Sequence, residues 1–299
     1  MSWIAVLREL LVFSLERYGL PLPVDPGICN KWRVGLDFEK ETERVLYTSC
    51  MYQMAPLIKK ATGLLERAAR GGVWARLAEV GARTLGGVLL RPTPAEEVRM
   101  SMMLRSIYYL IKKSGIKLGV LEEEPYSGAL LYELGFEEEF KRQAEVVYKT
   151  FKEAGVREVI TVDPHTQYVL EHVYPKYGFD IKAVSYIDLV NIAKVRAKMS
   201  GFVIHDSCLY SRFLDRREKI RQILAAGRPV EDPYVTGVET SGCCGGPVES
   251  IRPELAKKVA ADRARRLARL SDKVVVACPI CFINLSDRLE TYDLSEVIE

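Results

Sequence analysis

Little in this 299-residue chain points to a membrane, a nucleic acid or a nucleotide. The apolar N-terminal stretch Met1–Leu20 is interrupted by Arg8, Glu9, Glu16 and Arg17. That spacing puts Trp3, Ile4, Val6, Leu7, Leu10, Leu11 and Phe13 on one face of an amphipathic helix and excludes a secretory h-region or a spanning helix there. Such a helix either packs on its own core or docks a partner subunit. The absence of an export signal predicts a cytoplasmic location. The formal charge is only +3, and no dense basic tail or arm stands out, so nucleic acid is not an expected partner. No G-x-G-x-x-G follows an expected strand, which leaves no NAD or FAD site to be read. A C-x2-C-x2-C-x3-C-P run of the ferredoxin type is missing as well.

What is present is a globular composition, 48% hydrophobic and 28% charged, on a chain long enough for two domains. Short apolar runs occur at 45–48, 118–121, 159–162, 183–186, 202–205, 236–239 and 274–277, each followed by a turn and a helix-like stretch. Strands that alternate with helices predict an α/β fold with small, mostly parallel sheets and helices on their faces.

The chain also repeats itself. Val45–Pro56 (VLYTSCMYQMAP) aligns with Val203–Leu214 (VIHDSCLYSRFL), Gly119–Leu134 with Gly237–Pro253, and Val159–Leu170 (VITVDPHTQYVL) with Val274–Leu285 (VVVACPICFINL). We read two pseudo-repeated α/β units, 45–198 and 199–299, after an N-terminal helical segment 1–44. A helical insertion of about 58–97 lengthens the first unit, with Gly86–Ala95 as punctuation between its helices.

Seven cysteines in a cytoplasmic chain argue for metal binding or catalysis rather than a disulfide framework. Cys29 and Cys50 stand alone, whereas Cys208, Cys243, Cys244, Cys278 and Cys281 follow a C-x34-CC-x33-C-x2-C spacing. Each of the five lies at or just after an expected strand end, where loops of a parallel sheet converge on ligands. Five thiolates there suit iron and sulfide. Gly242, Gly245 and Gly246 flank the vicinal pair and let the backbone approach a bulky group. Pro279 after Cys278 predicts a helix start whose N–H groups face sulfur. A structural zinc remains an alternative, although it usually takes four ligands in two short knuckles. A thioredoxin-type Cys278-Pro-Ile-Cys281 is another, but it gives Cys208, Cys243 and Cys244 no role.

The segment from HDSC (His205–Cys208) through SGCCGGP (Ser241–Pro247) to ACPICFINL (Ala277–Leu285) resembles the cysteine-rich CCG domain. That domain occurs in the B and D subunits of heterodisulfide reductase, and in iron–sulfur subunits of glycolate, lactate and glycerol-3-phosphate oxidoreductases. The resemblance implies that the five cysteines ligate one [4Fe–4S] cluster, non-cubane as in heterodisulfide reductase. It also implies an oxidoreductase subunit that cleaves a thiol-derived disulfide or transfers electrons. In the first unit the matching positions are Cys50, Tyr126, Ser127, Asp163 and Thr166, so only one of five cysteines is kept and one cluster per chain is expected. Cys50 with Asp163 and His165 forms either another metal site or a vestigial loop filled by hydrogen bonds. With no ferredoxin module in the chain, electrons are expected from ferredoxin-like or flavin-containing partner subunits, in a complex that is cytoplasmic or peripheral on a membrane. A zinc-binding scaffold and a simple electron relay are the competing readings.

His205 and Asp206, just before Cys208, are candidates to hydrogen-bond the cluster or relay a proton, with Ser207 and Ser241 as weaker ones. Lys257, Lys258, Arg263, Arg265, Arg266 and Arg269 read as a solvated helix face, or as a docking face for an acidic electron-transfer partner.

Overall fold

A computed structural model describes residues 3–40, 42–69, 90–236 and 242–299. Two parallel three-stranded sheets organise them. In the first, β1 (Arg44–Tyr47), β2 (Glu158–Thr161) and β3 (Lys182–Ser185) lie in sequence order, with Val45 opposite Val159 and Val159 opposite Ala183. In the second, β4 (Val203–Ile204), β5 (Lys273–Val276) and β6 (Glu290–Asp293) repeat that order and direction. The mixed α/β architecture read from the sequence is therefore present, together with its N-terminal helix α1 (Trp3–Tyr18).

Strand alternation explains how the first sheet is covered. Val45, Tyr47 and Val159 point to a core shared with Leu7 and Leu11 of α1, while Leu46 and Ile160 point to the opposite face. The N-terminal helix thus buries Leu7 and Leu11 on its own chain, while Ile4 stays exposed. Trp3 also donates from its indole N–H to the Ser250 carbonyl at 3.1 Å. The helices α2 (Met51–Ala69), α3 (Pro94–Lys113), α4 (Ala129–Glu133) and α5 (Glu137–Glu153) lie between β1 and β2. The expected insertion falls on α2 and the start of α3, and its stretch 70–89 lies outside the described residues. Thr93 and Glu96 form a reciprocal capping box at the start of α3.

The two halves share one core. Leu46, Cys50 and Tyr52 belong to the same buried cluster as Phe202, Val274 and Leu285. Corresponding contacts cross between the halves in both directions. Tyr52, two residues after Cys50, donates to the Asp293 carboxylate at the end of β6 (2.9 Å). Tyr210, two residues after Cys208, pairs with the Ser185 hydroxyl at the end of β3 (3.0 Å). The strand ends of each half therefore pack on the other.

Two expectations are corrected, and a third falls outside the described residues. The run 118–121 makes only a single parallel bridge, Gly119 with Val45. Gly119 is pressed so closely on Thr42 and Glu39 that a Cβ would sit 2.6 Å from the Thr42 methyl. The run 236–239 lies, beyond Thr236, outside the described residues. Finally, Cys29 and Cys50 are paired in a disulfide, with Cα atoms 5.0 Å apart, where reduced thiols were expected. A 3-10 turn, Pro26–Cys29, is brought to the start of α2, and Gln53 holds it there by donating to the Cys29 carbonyl (3.1 Å). Because the bond closes a loop with a sequence separation of 21, Cys29→Ala is expected to lower unfolding free energy by about 3 kcal/mol. Denaturant titration under oxidising conditions measures this, and a loss under about 1 kcal/mol would mean the bond contributes little.

Candidate metal centre

Three strand-end segments of the second half meet at one place. The backbone leaves β4 through His205, whose N–H still donates to Val275 (2.9 Å), and reaches Cys208 four residues after Ile204. Cys243 and Cys244 approach on the loop before α9 (Pro253–Leu267). Cys278 caps the N-terminus of α10 (Pro279–Leu285) at the end of β5, with Pro279 in the first turn and Cys281 one turn in. Cys244, Cys278 and Cys281 are buried, while Cys208 and Cys243 are only partly covered.

All five sulfurs are linked. Each thiol shifts its neighbour's pKa along the series Cys208, Cys243, Cys244, Cys281 and Cys278, and the Cys244 and Cys281 sulfurs lie within 4.8 Å of one another. Negative charge concentrates at two of them. Hydrogen bonds from Cys208 and Cys244, and from the Gly245 N–H at 3.2 Å, hold the Cys243 thiol far below its ordinary pKa against burial. At Cys278 burial opposes ionisation, but the Cys281 hydrogen bond and the neighbouring His165 outweigh it and bring the pKa down. The Cys208 thiol is pushed up by its hydrogen bond to Cys243 and by burial. Three buried and two partly covered thiols, two of them with lowered pKa values, have the chemistry that could hold a thiophilic metal.

His205 completes the wall. One of its ring nitrogens and the sulfurs of Cys244 and Cys281 lie within 4.8 Å of one another. Arg263 donates from Nε to His205 Nδ1 (3.1 Å). Guanidinium is a donor only, so Nδ1 must accept, and the single proton of the neutral ring sits on Nε2. Burial and the Arg263 charge push this imidazole down to about 3, which keeps it neutral. Nε2 is buried and has no hydrogen-bond partner among the described residues. It is therefore a donor without an acceptor beside two cysteine sulfurs, a fit to inorganic sulfide or metal-bound thiolate rather than to direct ligation.

Other sequence candidates have more defined jobs. Asp206 is held by Arg221 through both oxygens (2.7 and 2.9 Å), so its carboxylate is committed to an ion pair. Gly245 has φ +91°, and a Cβ there would lie 2.6 Å from the Ala256 carbonyl; one on Gly246 would strike Ile280 at 2.5 Å. Gly242 passes over Arg263, with only 3.2 Å available to a Cβ. Ser241 lies outside the described residues. Of the expected solvated helix face, Lys257, Lys258, Arg265, Arg266 and Arg269 are exposed, but Arg263 is only 1% exposed and donates to Val235 O as well (2.7 Å). Its position was readable: Ala256, Ala260, Arg263, Ala264 and Leu267 share one face at helical spacing.

The matching place in the first half is filled. Ser49 and Ser127 bond through their hydroxyls (2.9 Å), Ser127 N–H donates to Ser49 Oγ (2.9 Å), and Ser127 approaches Thr166 (3.4 Å). Asp163, at the position of Cys278, caps α6 (Pro164–Tyr168) by accepting from His165 N–H and Thr166 N–H, both at 2.9 Å. Hydrogen bonds thus occupy this loop, and Cys50 is engaged with Cys29. His165 was missed as part of the second-half site. It turns away from Cys50's neighbourhood to place Nε2 at 3.4 Å from Cys278 Sγ.

Residues 202–286 match the family model of a cysteine-rich domain, CCG. This part of the chain is a CCG domain. The chain is 26% identical over 210 residues to a probable iron–sulfur-binding oxidoreductase, FadF, of Bacillus subtilis, which covers 63% of this chain and 30% of that protein. It is 27% identical over 150 residues to the B subunit of the fumarate reductase (CoM/CoB) of Methanothermobacter marburgensis, covering 48% and 30%. A third relative, EtfAB:quinone oxidoreductase of Syntrophomonas wolfei, is 25% identical over 209 residues, covering 62% and 29%. The chain spans less than a third of the length of each. All five clustered cysteines fall within the CCG match, and among the described residues no helix is long and apolar enough to cross a membrane.

Proposed function

We propose that this chain is a redox subunit of a larger oxidoreductase, holding one [4Fe–4S] group on Cys208, Cys243, Cys244, Cys278 and Cys281. The observation that carries the reading is the convergence of five mutually interacting thiols, with the Cys244 and Cys281 sulfurs within 4.8 Å of one another and of a His205 ring nitrogen. Five cysteines exceed the four that an ordinary cubane takes, which favours a non-cubane arrangement and a heterodisulfide reductase-like role. When bound, such a group supplies one-electron transfer.

The chain's own residues do the rest. Cys244, Cys278 and Cys281 anchor the group on the buried side, while the partly exposed Cys208 and Cys243 face the side open to a disulfide substrate or redox partner. His205 donates its Nε2–H toward sulfur and so stabilises added negative charge there. Arg263 fixes the orientation of that ring. Reducing a disulfide to two thiols takes two electrons and two protons, and a flavin-containing or ferredoxin-like partner would deliver the electrons.

Iron and acid-labile sulfide, measured after anaerobic purification, are expected at about four of each per chain. One equivalent of zinc without sulfide or visible absorption would overturn the proposal and favour a scaffold. In the loaded protein, a thiol such as coenzyme M that changes the low-temperature paramagnetic spectrum would support substrate chemistry at the group. An unchanged spectrum would leave only electron relay.

A further inference from the structure

The first half has lost four of the five cysteine positions, yet it reaches into the second-half site through one side chain. His165 is 6% exposed and lies between two partners. Its Nδ1 meets Glu133 Oε1 at 2.5 Å, and its Nε2 meets Cys278 Sγ at 3.4 Å. Glu133 ends α4, and His165 lies in the first turn of α6, so both belong to the first half. The position equivalent to His165 in the second half is Ile280, whose side chain has no donor.

We propose that His165, oriented by Glu133, is a positioning residue of the first half that donates an Nε2–H hydrogen bond to Cys278 and thereby raises the reduction potential of the iron–sulfur group. This rests on the function proposed above. A metal-bound thiolate accepts hydrogen bonds and cannot donate them, so a 3.4 Å contact to it requires the hydrogen on Nε2. Glu133 and Nδ1 share whatever proton lies between them, and either arrangement leaves Nε2–H pointing at sulfur. Donation to a ligand sulfur withdraws electron density and favours the reduced form, one of the protein's main controls on cluster potential. His165 thus does from across the halves what His205 does within the CCG domain, at a different cysteine.

The test is a redox titration followed by paramagnetic resonance on anaerobically purified wild-type, His165→Leu, Glu133→Gln and His172→Gln proteins. His172, paired with Glu171, near the Tyr168 ring and with a side chain 41% exposed, is the control. With iron content equal to wild type, His165→Leu is expected to weaken the preference for the reduced form about tenfold, a potential lower by about 59 mV for a one-electron couple. Glu133→Gln, which keeps the imidazole but loosens its hold, should shift it the same way by less. His172→Gln should not move it. A His165→Leu protein with full iron and an unchanged potential overturns the inference. If His165→Leu fails to load iron, Glu133→Gln decides, and no shift there overturns it. Absence of iron and sulfide in the wild-type protein would instead remove the underlying functional proposal.

Discussion

Cys278→Ser is expected to abolish the metal centre, with iron and labile sulfide falling to below about one per chain and the visible absorption lost. Of the five cysteines this one carries the most structural support. It is 1% exposed, caps α10, accepts from Cys281, and faces His165 from the other half. A serine hydroxyl does not ionise in this setting, so a buried hard donor would replace a thiolate that soft metals prefer. Cys208→Ser removes a sulfur that is only partly buried, at the open edge of the site. It is expected to leave iron bound with an altered paramagnetic signal. Far-ultraviolet circular dichroism should be unchanged in both, because neither side chain holds a strand or helix by itself. Full iron and an unchanged spectrum in Cys278→Ser would count strongly against the assignment.

The second large effect is expected at Arg263→Met, which should lower unfolding free energy by about 3 kcal/mol even without metal. The guanidinium is buried and bonds two acceptors, His205 Nδ1 and the Val235 carbonyl. Methionine fills much of the same volume and donates nothing. Both acceptors would then be left in a dry interior, at about 1–3 kcal/mol for each. Arg266→Met, on the exposed face of the same helix and paired with Asp262, should change stability by about 0.5 kcal/mol or less. Equal effects for the two arginines would show that Arg263 does not occupy the buried position. The substitution also frees His205 to exchange tautomers, which nitrogen chemical shifts of the imidazole would report.

How much of this was legible in the sequence depends on range. The strands rich in Val and Ile were marked by apolar runs, and β1 to β5 all fall on or beside them. β6, Glu-Thr-Tyr-Asp, was not marked, because even its buried positions, Thr291 and Asp293, are polar. Spacing brought the five cysteines into view because they cluster in the segments that follow β4 and β5 and in the glycine-rich loop between them. The Cys29–Cys50 bond left no such trace, since it joins a 3-10 turn to a helix start that only the folded chain places side by side. His165 was hidden for a related reason: its partner lies 113 residues away, in the other half. Arg263 was visible in principle, but a run of basic residues masked its place on the alanine face of α9.

The reciprocal tyrosine contacts, Tyr52 to Asp293 and Tyr210 to Ser185, bear on what each half does for the other. The first half carries one of the five cysteine positions, yet it packs against the cysteine cluster through His165. Hydroxyls stand there where the second half has sulfur, as at Ser127 and Thr166, and they bond to one another. The half without the cysteine set thus serves as the complementary surface of the half that has it.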